Sequence, residues 1–371
     1  MLRNPLGGFL YLTVLYMSSF LGSIFIMGPS LPLLLCRPSW FRWYNDRSIG
    51  LWLILPPALL ELVFGVKVII TGEKPPANEA SLIIMNHRSR LDWMYYWCCL
   101  HRYGDLKHEK IILKDDLKNI PGPGWAMQNA MFIFLKRRWQ HDEGYLREVL
   151  DYYNEVSYPL QLLLFPEGTN LDSATKVKSD SFARKNNLSC YEYVLHPRVR
   201  GFTYCIEKLR HGRLQAVHNV TVGYDVNHSF WELDLLLGNF PREIHFHLER
   251  YPIEMLPEDQ KGLEKWCIEK WEEKEKVLRK FYADGQGFCP REETEPRSEL
   301  QVESRARNQL KAALLFWLLF IILSLMAIYY FLIVRWYFYV MFTTYLLQSI
   351  LGKGTDRLQI WSHHKFSLKK E

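Results

Sequence analysis

A histidine and an aspartate stand five positions apart in NHRSRLDW (residues 86–93), directly after the apolar run SLIIM. The spacing fits neither one face of a helix nor alternation along a strand. One reading is a capping box, with Ser89 at the N-cap and Asp92 at the third helical position. It accounts for Asp92 and leaves His87 unexplained. The other reading is acid–base chemistry. A carboxylate in the first turn of a helix can reach an imidazole in the preceding turn, hold one ring nitrogen protonated and leave the other as a base. From these residues alone both readings stand.

Two further stretches carry chemistry. FPEGTN (165–170) sets Glu167 beside Gly168 in a tight turn, where backbone amides are exposed, and FLKRRW (134–139) offers guanidinium groups suited to bidentate phosphate contact. Each follows an apolar run with strand character, as His87 does, and ligand sites in α/β sheets gather at strand ends. The net charge of +6 is modest, so Lys136-Arg137-Arg138 points to a local anionic ligand, and no nucleic-acid motif is present. Seven cysteines show no zinc spacing, and their odd number fits free thiols in a reducing compartment. His363-His364 and the scattered histidines form no ligand pattern, so no metal is expected.

The elements that must position these residues lie in the middle of the chain. Strands are predicted at 66–71, 81–86, 110–114, 132–135, 160–165, 216–224 and 243–250, with helical stretches between several of them. The pattern predicts an α/β fold: a mainly parallel sheet flanked by helices. In EIHFHLER (243–250) His245 and His247 share one face, which reads as a half-exposed edge strand rather than a metal pair. EKWCIEKWEEKEKVLRKF (264–281) reads as a charged helix with a broken apolar stripe, packed on the domain or lying at a membrane surface.

The ends are apolar. No charged residue occurs between Arg3 and Arg37, so a retained membrane helix is expected near residues 6–28, ended by Gly28-Pro29 and Pro32, rather than a cleaved signal peptide. Residues 49–70, with Pro56-Pro57, Glu61 and Lys67, form a second span or a re-entrant hairpin. Near the C-terminus, residues 312–334 and 336–352 are uncharged around Arg335, which fits two helices in a hairpin. The expected organisation is an anchor over 1–70, an α/β domain over 71–282, a linker over 283–304, membrane helices over 305–352 and a basic tail over 353–371. Basic residues outside both C-terminal helices put the flanks, and the α/β domain, on the cytosolic side. The terminal SLKKE is a weak, one-residue-shifted match to a dilysine retrieval signal. Sequons at Asn187, Asn219 and Asn227 fall within the α/β domain.

NHRSRLDW, FLKR, FPEGT and the proline of VLHP (194–197) together resemble, in order and spacing, the four motifs of the glycerolipid acyltransferases, the family that acylates glycerol phosphates and lysophospholipids. KDDLKNIPGPGW (114–125) is similar to the stretch between the first two motifs, and the resemblance covers residues 81–200. The wording around the motifs is most similar to a multispanning member of the endoplasmic reticulum membrane. The resemblance implies that His87 is the general base and Asp92 its support. It implies a substrate-binding set of Lys114, Phe134, Arg137, Glu167, Gly168, Thr169 and Pro197. It also implies acyl-CoA as co-substrate with no cofactor, and no acyl-enzyme, in keeping with the absence of a serine or cysteine elbow motif. Backbone amides near Gly168 are suited to the tetrahedral oxyanion. The third motif usually ends in arginine, where Asn170 stands, and the second usually opens with glycine, where Met131 stands. A missing cation at 170 favours a diester acceptor such as lysocardiolipin, lysophosphatidylinositol or lysophosphatidylglycerol over lysophosphatidic acid, with Arg137, Arg138 or Lys114 available to compensate. A catalytically silent lipid-binding protein and a hydrolase are the alternatives from other classes.

Overall fold

The computed structural model describes residues 2–225, 231–285, 287–288, 297–351 and 354–367. Asn227, residues 286 and 289–296 of the expected linker, and the end of the basic tail lie outside them. The chain begins with helices α1 (Pro5–Gly22), α2 (Leu31–Cys36), α3 (Pro38–Leu53) and α4 (Leu55–Ala58), then enters strands β1 (Lys67–Gly72) and β2 (Ser81–Met85). Next come α5 (Asp92–Tyr103), β3 (Glu109–Lys114), α6 (Pro123–Asn129), β4 (Ile133–Leu135), α7 (Trp139–Glu155), β5 (Gln161–Leu164), α8 (Ser173–Lys185) and α9 (Val199–Leu209). The domain closes with β6 (Ala216–Tyr224), α10 (Glu232–Leu237), β7 (Glu243–Pro252) and α11 (Gln260–Asp284), and the chain ends in α12 (Arg297–Tyr330), α13 (Leu332–Leu351) and α14 (Thr355–Ser367).

The seven strands form one sheet in the order β1-β7-β6-β2-β5-β3-β4. From β6 to β4 every pairing is parallel, while β7 runs antiparallel to β6 and β1 runs parallel to β7. This is the α/β, mainly parallel sheet that the sequence predicts. Central β2 is buried on both faces: Leu82, Ile83, Ile84 and Met85 are all 0% exposed. Each such side chain contributes roughly 1.5–3 kcal/mol of burial, enough to fix β2 at the centre. The sheet corrects one expectation. β7 is not an edge strand; it lies between β1 and β6. Its alternation arises because His245 packs edge-on against Phe281 while His247 meets the Thr71 hydroxyl at 3.0 Å, so polar side chains are covered and partnered inside the fold.

The N-terminal helix also differs from expectation. It does not stop at Gly28-Pro29. A π-helical turn over Ser23–Met27 and a 3-10 turn over Gly28–Ser30 carry the helical path to Cys36. These turns place Pro29 and Pro32 at the first positions of new helical segments, where a missing N–H breaks no bond. Pro5–Cys36 and Leu300–Tyr330 are each long and apolar enough to cross a membrane. One side of α1 nevertheless packs on the domain, with Tyr11 edge-on to Phe64 and Phe240 and the Arg3 guanidinium donating to the carbonyls of Phe64, Phe240 and Pro241. Residues Leu53, Leu55, Ala58 and Leu60, from the second apolar stretch, are buried in the core. The C-terminal helices meet at Phe331 and rest on the N-terminal ones: Trp317 lies against Gly22, and the Tyr337 hydroxyl donates to the carbonyl of Ile24.

Candidate active site

Strand β2 ends at Met85 and α5 starts at Asp92, so NHRSRL is the turn between them. The helix begins later than the capping-box reading predicts. Half of that box survives, because the Ser89 N–H donates to Asp92 Oδ2 at 2.9 Å. The same oxygen lies 2.9 Å from His87 Nδ1. An ionised carboxylate only accepts, so Nδ1 carries the proton and Nε2 keeps its lone pair. The other oxygen, Oδ1, accepts from the Tyr224 hydroxyl at the end of β6. Asp92 is thus fully buried with three donors, whereas the His87 side chain stays 13% exposed. Its ring is stacked on Phe165, centroids 4.1 Å apart. Burial, and then the charge of Asp92, push the Tyr224 pKa well up, so this phenol remains a donor.

FPEGT follows β5, the neighbour of β2. Gly168 closes a tight turn at φ +72, its N–H donating to the carbonyl of Phe165 at 2.9 Å. That amide, expected among the oxyanion donors, is therefore spent on the turn itself. Glu167 points inward and is 2% exposed. Its Oε1 accepts from the His87 N–H at 3.0 Å and Trp271 Nε1 at 3.3 Å, and Oε2 from the Leu195 N–H at 3.1 Å. One carboxylate so ties together the His87 turn, the FPEGT turn, the segment before Pro197 and α11. Burial pushes its pKa up to about 7, against the pull of the His87 and Leu195 amides. Phe134 is likewise buried, at 3% exposed, and supports the site from within the core. Thr169 and Pro197 are partly exposed and Asn170 is buried.

A cationic wall faces this pair of turns. Arg137 adopts φ +61 at the exit of β4, where the Asp142 carboxylate holds the turn by accepting from the N–H groups of Lys136 and Arg138, both at 2.8 Å. Burial, then the neighbouring charges of Arg198 and Arg90, lower the Arg137 pKa. Lys114, at the end of β3, is set apart from these arginines. It pairs with Asp116 at 2.5 Å and lines a cavity of about 330 Å³ with Lys136, Arg138 and His141. Lys114 at the last position of β3, and His87, Arg137 and Gly168 just beyond the carboxyl ends of β2, β4 and β5, thus all sit where such sheets bind ligands.

The sequence motifs assign no role to Tyr224, Asp142 or Arg198, Arg90 is an unassigned position inside NHRSRLDW, and Trp271 reads only as part of the apolar stripe of residues 264–281. For Arg198, HPRVRGF holds a local hint, an arginine next to the fourth-motif proline. No cluster of three or more metal-ligating side chains exists among the described residues.

Two family profiles match this chain: one described as "Acyltransferase" over residues 67–224, and one described as "Acyltransferase C-terminus" over residues 234–317. The chain is 46% identical to lysocardiolipin acyltransferase 1 of Gallus gallus over 98% of its own length and 96% of that protein's. It is 45% identical to the protein of the same name in Mus musculus, covering 95% of this chain and 94% of that one. Lysophosphatidylinositol acyltransferase 10 of Caenorhabditis elegans is 37% identical over 77% of this chain and 74% of its own. With His87 and Asp92 joined, the motif turns gathered at one end of the sheet and this likeness running the length of the chain, the protein belongs to the glycerolipid acyltransferase family.

Proposed function

We propose that this protein transfers the acyl group of acyl-CoA to a free hydroxyl of an anionic lysophospholipid: lysocardiolipin, lysophosphatidylinositol or lysophosphatidylglycerol. The observation that carries the reading is the buried Asp92 holding Nδ1 of a partly exposed His87. Nε2 takes the proton of the acceptor hydroxyl as its oxygen attacks the thioester carbonyl carbon. The tetrahedral intermediate expels coenzyme A as thiolate, which takes the proton from the imidazolium. Asp92 stabilises that imidazolium without being protonated, because three donors already satisfy its oxygens. Neither metal nor cofactor enters the reaction, and no acyl-enzyme forms. The relatives' names, lysocardiolipin and lysophosphatidylinositol acyltransferase, support the acceptor class.

The protein acts as a multi-pass protein of the endoplasmic reticulum membrane with its catalytic domain on the cytosolic side. Two apolar helices support the anchoring. Arg305, Arg307 and Lys311 in the amino-terminal part of α12, before its apolar stretch, and Arg357 and Lys365 after α13 support the orientation. Asn219 is buried and donates to Glu249 at 2.7 Å, so its sequon is unavailable in the folded domain. Asn187 is exposed; an endoglycosidase-sensitive mobility shift that depends on it would reverse the orientation.

The activity test uses purified full-length protein, radiolabelled acyl-CoA and a panel of lysophospholipids that includes lysophosphatidic acid. Diacyl product from the diester acceptors, lost in His87→Ala, is the expected result. Preference for lysophosphatidic acid would replace the acceptor, and release of free fatty acid without an acceptor would replace the reaction by hydrolysis.

A further inference from the structure

Arg90, Arg137 and Arg198 are exposed at the carboxyl end of the sheet, and the charges of Arg198 and Arg90 are felt at Arg137. The side chain of Arg198 lies across the bare α-carbon of Gly168: a Cβ there would stand 3.3 Å from Arg198 Cδ, 3.5 Å from Nε and 3.7 Å from Cζ. The Arg198 N–H donates to the carbonyl of Pro166 at 2.7 Å, so its backbone is bound to the same turn. Arg137 arrives from the end of β4 in a left-handed conformation. Arg90 comes from the His87–Asp92 turn itself, its guanidinium 4.3 Å from the Trp231 ring centroid. Among the described residues, the nearest carboxylate oxygen to the Arg90 guanidinium in an ion pair is Glu232 Oε2, at 3.8 Å. For Arg137 and Arg198 the described residues supply no ion-pair partner. Exposed guanidiniums of one sign on neighbouring turns attract an anion, and a phosphate oxygen pair fits the fork of each.

From this convergence we infer that Arg198, with Arg137, binds a phosphate group of the acceptor, and that Arg198 supplies the cation which the buried, neutral Asn170 does not. The inference rests on the acyl-transfer reading above. Acyl-CoA also carries phosphates, so the two sources have to be told apart. Geometry favours the acceptor. Glu167 binds the His87 N–H and belongs to the Gly168 turn, so the guanidiniums stand next to the base. In a lysophospholipid the reacting hydroxyl and the phosphate are separated by a few bonds of one glycerol. In acyl-CoA the thioester is separated from the phosphates by the whole pantetheine arm. The bare α-carbon of Gly168 lets the Arg198 side chain lie close against the turn.

The test is steady-state kinetics of the purified full-length protein in mixed micelles, with lysophosphatidylglycerol and oleoyl-CoA varied in turn. Arg198→Gln is expected to raise the KM for lysophosphatidylglycerol about tenfold, the loss of one charge-assisted contact, with kcat and the KM for oleoyl-CoA within about twofold. Arg198→Lys keeps the charge without the fork and should fall between. If the oleoyl-CoA KM rises instead, the site holds the donor's phosphates and the inference is overturned. It is also overturned if both KM values stay unchanged. In either case a wild-type enzyme that still acylates the lysolipid, and loses this with His87→Ala, leaves the general reading intact. Folding of each variant is checked by its melting temperature, and a conformation-only defect lowers kcat and both affinities together, which also counts against the inference.

Discussion

Strand β2 is flanked by two histidine–carboxylate pairs, and the proposed reaction uses only one of them. Beyond its carboxyl end, His87 Nδ1 meets Asp92 at 2.9 Å. Before its start, Glu79 meets Nε2 of His218, on neighbouring β6, at 2.7 Å. The contacts are nearly the same and the surroundings are not. Glu79 is also gripped by Arg250, whose Nε lies 3.0 Å from each carboxylate oxygen, and His218 is only 4% exposed. Although burial opposes it, the bonds and charges of His218 and Arg250 hold the Glu79 carboxyl down at about 2. That pair is a neutralised strut at the amino end of the sheet. At the carboxyl end, the carboxylate is supported by a phenol and an amide instead of a cation. The histidine keeps a free ring nitrogen, and arginines without counter-ions stand nearby. On the proposed mechanism, the pair that serves as base is the one whose carboxylate meets no cation and whose ring keeps some exposure.

The sharpest way to break this comparison is to remove each histidine in turn. His87→Ala should lower kcat by about 10²–10⁴ and leave the melting temperature nearly unchanged. His218→Ala should do the reverse, keeping kcat per folded molecule within a few-fold. Equal losses of kcat in the two variants would remove the distinction. Next in size is Glu79→Gln, expected to cost about 2 kcal/mol of stability by leaving Arg250 and His218 without their anion. The folded pKa of Glu79 lies below the unfolded value of about 4.3. Its contribution is therefore complete above that value and is lost as pH falls toward about 2. Thermal melts of wild type and Glu79→Gln should converge over that window, and parallel curves would show the strut to be absent.

Tyr224→Phe sharpens the other side. The substitution removes one of the three donors that hold Asp92, so kcat should fall about tenfold while the melting temperature drops only slightly. An unchanged kcat would make Tyr224 mere packing. The smallest effect belongs to Trp271→Phe, which removes one of three donors to Glu167. About 1 kcal/mol of stability should go, with kcat reduced about threefold through the His87 backbone, read from denaturant melts and single-turnover rates.

Much of this was legible because it is local. All seven strands lie within two residues of their predicted ends, since short β-branched and leucine-rich runs leave few alternatives. His87 and Asp92 were legible for the same reason: a strand exit followed by a helix start brings them together within eight residues. What was hidden depends on distant partners. Tyr224 is 132 residues from Asp92, and nothing in AVHNVTVGY marks its hydroxyl. Glu167 was read as a substrate ligand, whereas its carboxylate is turned into the core by donors from residues 87, 195 and 271. The position of β7 depended on β1 returning beside it, which no periodicity encodes. The prolines after residue 28 read as stops because the π turn that accommodates them is a property of packing, not of composition.

The Glu167 junction has a consequence for how this enzyme can be altered. Because a single carboxylate closes the bonds of four chain segments, none of those segments is an exchangeable part. A chimera that imports the loop before Pro197, or α11, from a relative with a different backbone path would strand a buried anion and idle the others. If Arg198 and Arg137 hold the acceptor as proposed, changes of acceptor preference fall on side chains that rest on the junction without belonging to it. The chemistry and the choice of lipid would then be mechanically uncoupled, and one could drift while the other stays locked.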